Sequence, residues 1–254
     1  MPITPIISQL ATIFAIILFS CGLDVEDATP PSKPIWIQKS LPEEWPERGI
    51  DAHESGGIYL EWESSQSENI IAYTIYRATW FDVNDSLGEY ESLAQVDTES
   101  AENTEYLDQS AELRIRYYYK LKSTNSADSQ SAFSDSVHYM LIPSISVQSL
   151  NPNGVLDTLG AERSLSWAWN YHNEMQDYIL TIVTLNGELV YRIMLQPGSY
   201  DGSGEEWIIP DSIQFEVDTR YLWRIDTGGD YIDNREMTGS ESPWATFMVA
   251  DVNN

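Results

Sequence analysis

Apolar and polar residues alternate with a period of two through nearly the whole chain, and no stretch carries the periodicity of an amphipathic helix. Side chains two apart on an extended backbone share a face, so this pattern predicts strands buried on one side. In the first half Ile58-Tyr59-Leu60-Glu61-Trp62-Glu63 alternates in this way, and Ile71-Ala72-Tyr73-Thr74-Ile75-Tyr76-Arg77 follows after the polar turn 64–69. Segments 104–108, 116–123 and 132–137 continue the series. The second half offers 164–169, 178–183, an Asn186-Gly187 pair that signals a type I′ hairpin, then 188–193, 207–210, 219–225 and 242–249. With 42% hydrophobic and 12% aromatic residues the chain is apolar enough to fold. Its halves, about 110 residues each, are of domain size. The expectation is an all-β chain with one domain over 33–143 and a second over 144–252.

The order of the strand signatures resembles the fibronectin type III family. Trp62 ends a strand B, Tyr73-Thr74-Ile75-Tyr76-Arg77 stands as C, Tyr106-Leu107-Asp108 as E, and Tyr117-Tyr118-Tyr119-Lys120-Leu121-Lys122-Ser123 as F, with Phe133-Ser134-Asp135 completing G. The second half repeats this less faithfully, with Trp167 in B, Thr219-Arg220-Tyr221-Leu222-Trp223-Arg224-Ile225 as F and Trp244 in G. The resemblance covers about residues 33 to 250 and implies two tandem immunoglobulin-like sandwiches. It also implies that Tyr117 is a tyrosine corner, its hydroxyl tied back to the preceding loop. It is unspecific for ligand. Met140-Leu141-Ile142-Pro143-Ser144-Ile145 leaves almost no spare linker, which predicts sandwiches held end to end with limited bending.

The first two dozen residues have a different character. Residues 10–19 form an apolar run interrupted only by Thr12, too short for a spanning helix of about 20 residues but suited to the core of a signal peptide. Ser20 is the small residue at the cut site, and Cys21 is the only cysteine of the chain, so it has no internal disulfide partner. Leu18-Phe19-Ser20-Cys21 resembles the lipobox of a bacterial lipoprotein. The resemblance implies cleavage after residue 20, lipidation of Cys21, and a membrane anchor made stable by several acyl chains. Residues 1–20 contain no Lys or Arg, a departure from the usual positive n-region. Residues 21–32 then read as an acidic, Pro-rich tether, with Asp24, Glu26 and Asp27 similar to signals that send some lipoproteins to the outer face of the outer membrane. The expected location is therefore the bacterial envelope, lipid-anchored in the outer membrane, on its periplasmic or its surface face.

Charge narrows the partners. The net charge is −27, and 33–143 carries 8 basic and 20 acidic residues against 5 and 17 in 144–254, so the acidity is evenly spread. Such a field repels nucleic acid and anionic lipid surfaces.

Motifs for chemistry are absent. His53, His138 and His172 are far apart in sequence, no second cysteine gives zinc spacing, and neither Gly-x-Ser-x-Gly, a Walker loop nor Gly-x-Gly-x-x-Gly occurs. Asp82-Val83-Asn84-Asp85-Ser86 has alternating oxygen ligands but lacks the glycine and terminal glutamate of a calcium loop. No catalytic residue, metal or cofactor is expected. An envelope hydrolase would need acidic residues converging in a cleft.

The aromatics that alternation does not place in a core are more informative. Trp80-Phe81 stands at the end of the predicted strand C, where neighbouring side chains face opposite ways and one ring is expected to be exposed. Trp45, between Pro42 and Pro46, is a third candidate contact. An exposed tryptophan serves as a protein hot spot, as a stacking platform for sugar, or as a cover for a sheet edge. The sequence thus points to a non-enzymatic binding, adhesion or spacer module that meets an envelope or extracellular protein. The alternative is a carbohydrate-binding accessory of a polysaccharide-uptake system.

Overall fold

A computed structural model describes residues 29–98, 103–154, 158–160, 162–168, 177–195, 204–228 and 237–249. The proposed signal peptide, Cys21 and the acids of the tether lie outside the described residues, as does His172. Among the described residues no helix is long and apolar enough to cross a membrane.

The described fold is all-β. Its strands are β1 (Ile50–Ala52), β2 (Ile58–Glu61), β3 (Ile70–Phe81), β4 (Ser86–Leu87), β5 (Glu91–Asp97), β6 (Glu105–Asp108), β7 (Arg116–Asn125), β8 (Val137–Leu141), β9 (Leu150–Asn151), β10 (Ser164–Trp167), β11 (Asp177–Thr184), β12 (Leu189–Leu195), β13 (Glu205–Ile208), β14 (Arg220–Gly228), β15 (Thr238–Glu241) and β16 (Ala245–Met248). In the first half the sheet β1-β2-β6 faces β5-β3-β7-β8. Ile58, Leu60 and Trp62 from one side and Tyr73, Ile75, Tyr119 and Leu121 from the other close a core. In the second half β9-β10-β13 faces β12-β11-β14-β16 around Leu165, Trp167, Leu180, Trp223 and Phe247. These are sheets packed face to face, as in immunoglobulin-like β-sandwiches.

Contacts recur between the halves. Trp62 meets Tyr73 edge to face at 5.4 Å, and Trp167 meets Tyr178 edge to face at 5.4 Å. The Tyr117 hydroxyl accepts from the Glu112 backbone N–H at 3.4 Å, the tie to the preceding loop that the resemblance implies. Tyr221 does the same for Glu216 at 2.9 Å, so the tie recurs in the second half. In the first core, Asp108 of β6 accepts from Arg77 of β3 at 2.7 Å, from the Tyr119 hydroxyl at 2.8 Å, and from the backbone and hydroxyl of Ser110. Every lone pair of this buried carboxylate is thereby occupied, as burial demands.

Three strand expectations need correction. Segment 132–137 is not a strand until Val137, because the Ser131 and Ser134 side chains accept from the Ser123 and Leu121 N–H groups, at 3.0 and 2.9 Å, where carbonyls would stand in a ladder. The 242–249 strand divides in the same manner: Ser242 Oγ accepts from the Ile225 N–H at 3.0 Å, Pro243 follows, and β16 begins at Ala245. Each serine hydroxyl accepts the partner N–H in place of a carbonyl, while the serine N–H still donates to the partner's carbonyl. Asn186-Gly187 forms no type I′ turn, since of the two only Gly187 has positive φ (82°). The Gly187 N–H bonds to Thr184 O and Thr184 N–H to Glu188 O, a three-residue loop closed by a left-handed glycine.

The halves are joined by sheet pairing and not only end to end. Leu141 packs in the first core and Ile142 in the second. Strands β8 and β15 run parallel, with Met140 opposite Thr238 and Leu141 opposite Gly239. One ten-stranded sheet therefore passes through both halves.

Candidate functional site

Outward positions of β3, β7 and β8 build a face that combines aromatic rings with positive charge. On β7 the inward Tyr117, Tyr119, Leu121 and Ser123 are buried, which turns Arg116, Tyr118, Lys120 and Lys122 to the opposite side. Register places Tyr118 between Ala78 of β3 and His138 of β8. The small Ala78 leaves room for diagonal Trp80, whose ring lies 5.8 Å from Tyr118. Tyr118 in turn stacks on His138 at 4.9 Å, and the Arg116 guanidinium caps Trp80 at 5.6 Å. Burial, then the Arg116 and Arg48 charges, hold the His138 imidazole below its ordinary pKa.

Further along the strand, Phe133 meets Tyr76 edge to face at 5.0 Å. Lys122 Nζ lies 4.4 Å from the Phe133 centroid and Lys120 Nζ 4.4 Å from that of Tyr90, whose hydroxyl bonds Ser136 at 2.8 Å. Each ammonium lies over a ring face, where the ring quadrupole attracts it. Phe133 remains 39% exposed.

The three sequence candidates separate. Trp80 and Phe81 face opposite sides, as neighbours on a strand must. Trp80 is half-buried within the ladder on the outer face. Phe81 is 50% exposed and covers Gly88, where a Cβ would stand 2.9 Å from the phenyl ring. It borders a small cleft of about 240 Å³ shared with Arg77, Glu89 and Glu91. Trp45 lies between the halves, its indole against Gly228 with 2.7 Å to the place a Cβ would occupy, and is taken up by packing there.

No protein-family model matches the chain. No curated protein matches it either. Among solved structures, the crystal structure of chicken CNTN1 FN1-FN3 domains is similar to it at 14% identity, covering 87% of this chain and 69% of that one, with a TM-score of 0.35.

Acidic residues do converge at the joint between the halves. Arg224 of β14 lies 2.8 Å from Glu241 of β15 and bonds its second oxygen as well; it lies 3.0 Å from Asp226 and 3.5 Å from Glu54 of the first half, and stacks 4.7 Å from the Trp244 ring. Arg192 of β12 pairs with Glu44 across the joint. Asp51 accepts from the Tyr139 hydroxyl at 3.1 Å and from the Ala52 N–H at 2.7 Å. Desolvation pushes the Asp51 carboxyl up to about 7, with Glu47 and Asp226 adding repulsion, and the Glu241 carboxyl up to about 9, with Asp226 adding repulsion. Glu241 borders an open cleft of about 500 Å³, but both its oxygens are held by Arg224, so it is arranged as a bridge between strands. Among the described residues no group of His, Cys, Asp or Glu is arranged to hold a metal ion, and the 82–85 turn points Val83 almost fully into solvent.

Proposed function

We propose that the chain is a non-catalytic protein-binding module. In this reading residues 33–143 and 144–252 are two consecutive fibronectin type III-like sandwiches. The tether 21–32 holds them to a bacterial outer membrane through lipidated Cys21 once residues 1–20 are removed. The observation that carries the reading is the outer face of β3, β7 and β8, where Trp80, Tyr118, Phe133 and three cations are gathered in a chain that is otherwise acidic. Aromatic and arginine side chains are the enriched constituents of protein interfaces. The pairing of β8 with β15 braces this face against the second half, which suits a rod that presents a surface at a fixed orientation.

In-cell cross-linking of the tagged full-length chain, with partners identified by mass spectrometry, is expected to recover one reproducible envelope protein. Recovery of nothing above background would contradict the reading. Cys21→Ala is expected to release the protein from washed membranes; continued membrane partition would rule out the anchor.

The half-buried Trp80–Tyr118 pair favours a second reading, a saccharide-binding accessory. It predicts that Trp80→Ala abolishes retention on a polysaccharide panel. The binding-module reading predicts no such retention to begin with, and a loss of only about 1–2 kcal/mol of stability from the removed stacking.

A further inference from the structure

Six described cations are matched to carboxylates: Lys33 to Asp135, Lys39 to Glu47 and Glu61, Arg77 to Asp108, Arg163 to Asp211, Arg192 to Glu44, and Arg224 to Asp226 and Glu241. Against 40 acidic residues in the chain such matching is easily met. Arg116, Lys120 and Lys122 depart from it. None makes an ion pair among the described residues; each rests on an aromatic ring, and the one polar contact among their side-chain nitrogens is Lys122 Nζ to Gln130 Oε1 at 3.5 Å. All three lie on the outward side of one strand, in a row with Tyr118. The row spans about 20 Å at roughly 3.3 Å per residue.

We infer that this row is a docking site for a short acidic segment of a partner protein, bound in extended conformation with carboxylates at alternating positions. The inference deepens the binding-module reading and rests on it.

Alternate side chains of an extended peptide recur at about 6.6 Å, the same interval as the outward positions of β7, so successive carboxylates align with Lys120 and Lys122 and a third reaches Arg116. An apolar residue of the segment meets Tyr118 in the gap. The size of the row selects the occupant. Acidic groups resume at its margins, with Asp97 opposite Ala72, Asp128 in the turn after β7, and Asp135 beside Lys33. At a Debye length of about 8 Å the row attracts locally, but a long polyanion would run onto those acids and be repelled. A peptide with three carboxylates fits within it.

The probe is a fluorescein-labelled octapeptide that alternates threonine with glutamate, glutamate, leucine and glutamate in that order, followed by anisotropy with the full chain at about 0.15 M salt. We expect Lys120→Glu/Lys122→Glu to weaken binding about ten-fold or more, while Arg220→Glu leaves it unchanged. Arg220 also makes no ion pair among the described residues but lies in the other half. Positions 120 and 122 face outward, so matched thermal melts exclude unfolding as the cause. Equal losses in the two variants, or none in either, would overturn the inference. So would binding of a polyuronate or of phosphatidylglycerol vesicles in place of the peptide.

The inference and the reading beneath it fail separately. If the cross-linked partner is still captured by Lys120→Glu/Lys122→Glu, the docking site is wrong and the binding module stands. If no partner is captured while the peptide discriminates the variants, the cationic row stands as an anion site and the protein-binding reading fails.

Discussion

Replacing Arg224 by Met is expected to destabilise the protein by about 3–5 kcal/mol in chemical denaturation at neutral pH. The guanidinium is the shared counter-charge for Glu241, Asp226 and Glu54 and lies against Trp244. Methionine matches much of its volume, so the loss reports charge. Without Arg224 the carboxyl groups of Asp226 and Glu241, directly opposite one another in the ladder, lose their shared donor, and the ionised one loses its counter-charge. Breaking one side of a buried pair costs far more than the pair contributes net, because the remaining charge cannot recover its water. Arg224→Lys is expected to fall between, since a lysine cannot hold both Glu241 oxygens and Asp226 together. A loss below about 1 kcal/mol would show that water reaches the cluster and screens it as at a surface.

The second large effect is on pH dependence. Five carboxyls, on Glu44, Asp51, Glu54, Asp226 and Glu241, meet two guanidiniums, on Arg192 and Arg224, at this joint. Asp51 is raised from 3.8 to about 7 and Glu241 from 4.5 to about 9, both chiefly by desolvation; Asp226 and Glu44 are raised for the same first cause. A folded carboxyl with a raised pKa keeps a proton that the unfolded chain has already released. Stability is therefore greatest in mild acid and falls as pH rises from about 4, with the Asp51 share complete near 7 and the Glu241 share near 9.

Melts at pH 5, 7 and 9 are expected to show a steady decline. Asp51→Asn keeps an acceptor for Tyr139 and the Ala52 N–H but removes the charge, and is expected to gain about 2–4 kcal/mol at pH 8 and flatten the slope between 4 and 7. Asp82→Asn, exposed in the 82–85 turn, removes one acid far from the joint and is expected to change little. Equal effects from the two would assign the pH dependence to the net charge of the whole chain.

What could be read from the sequence, and what could not, follows from the range of the interactions. Alternation located the core strands because inward positions such as Ile58, Leu60, Tyr119 and Leu121 are set by local periodicity. The resemblance to fibronectin type III strands pointed to Tyr117, whose bond closes over five residues. The strand breaks at Ser134 and Ser242 were hidden because a hydroxyl standing in for a carbonyl leaves the hydrophobic pattern intact. Trp45 was legible as unassigned but not as part of the joint, since Gly228, the residue that receives it, is far along the chain. The joint itself draws Glu44, Asp51 and Glu54 against Arg192, Arg224 and Glu241, and uniform acidity gave no hint that these acids would meet. The cationic row stood in the sequence as Arg116, Lys120 and Lys122 on a strand that alternation had already identified. It becomes visible only when Lys33, Lys39, Arg77, Arg163, Arg192 and Arg224 are seen with their carboxylates, which is a property of the folded chain.

The most direct test of the binding-module account is photo-cross-linking in the native cell from a benzophenone amino acid placed at one of two positions. Phe133 is exposed on the outer face beside Lys120 and Lys122, and Leu189 is exposed on β12 in the other half. The account predicts a discrete protein adduct from position 133 and none from position 189. Adducts of equal yield from both positions, or from 189 alone, would contradict it.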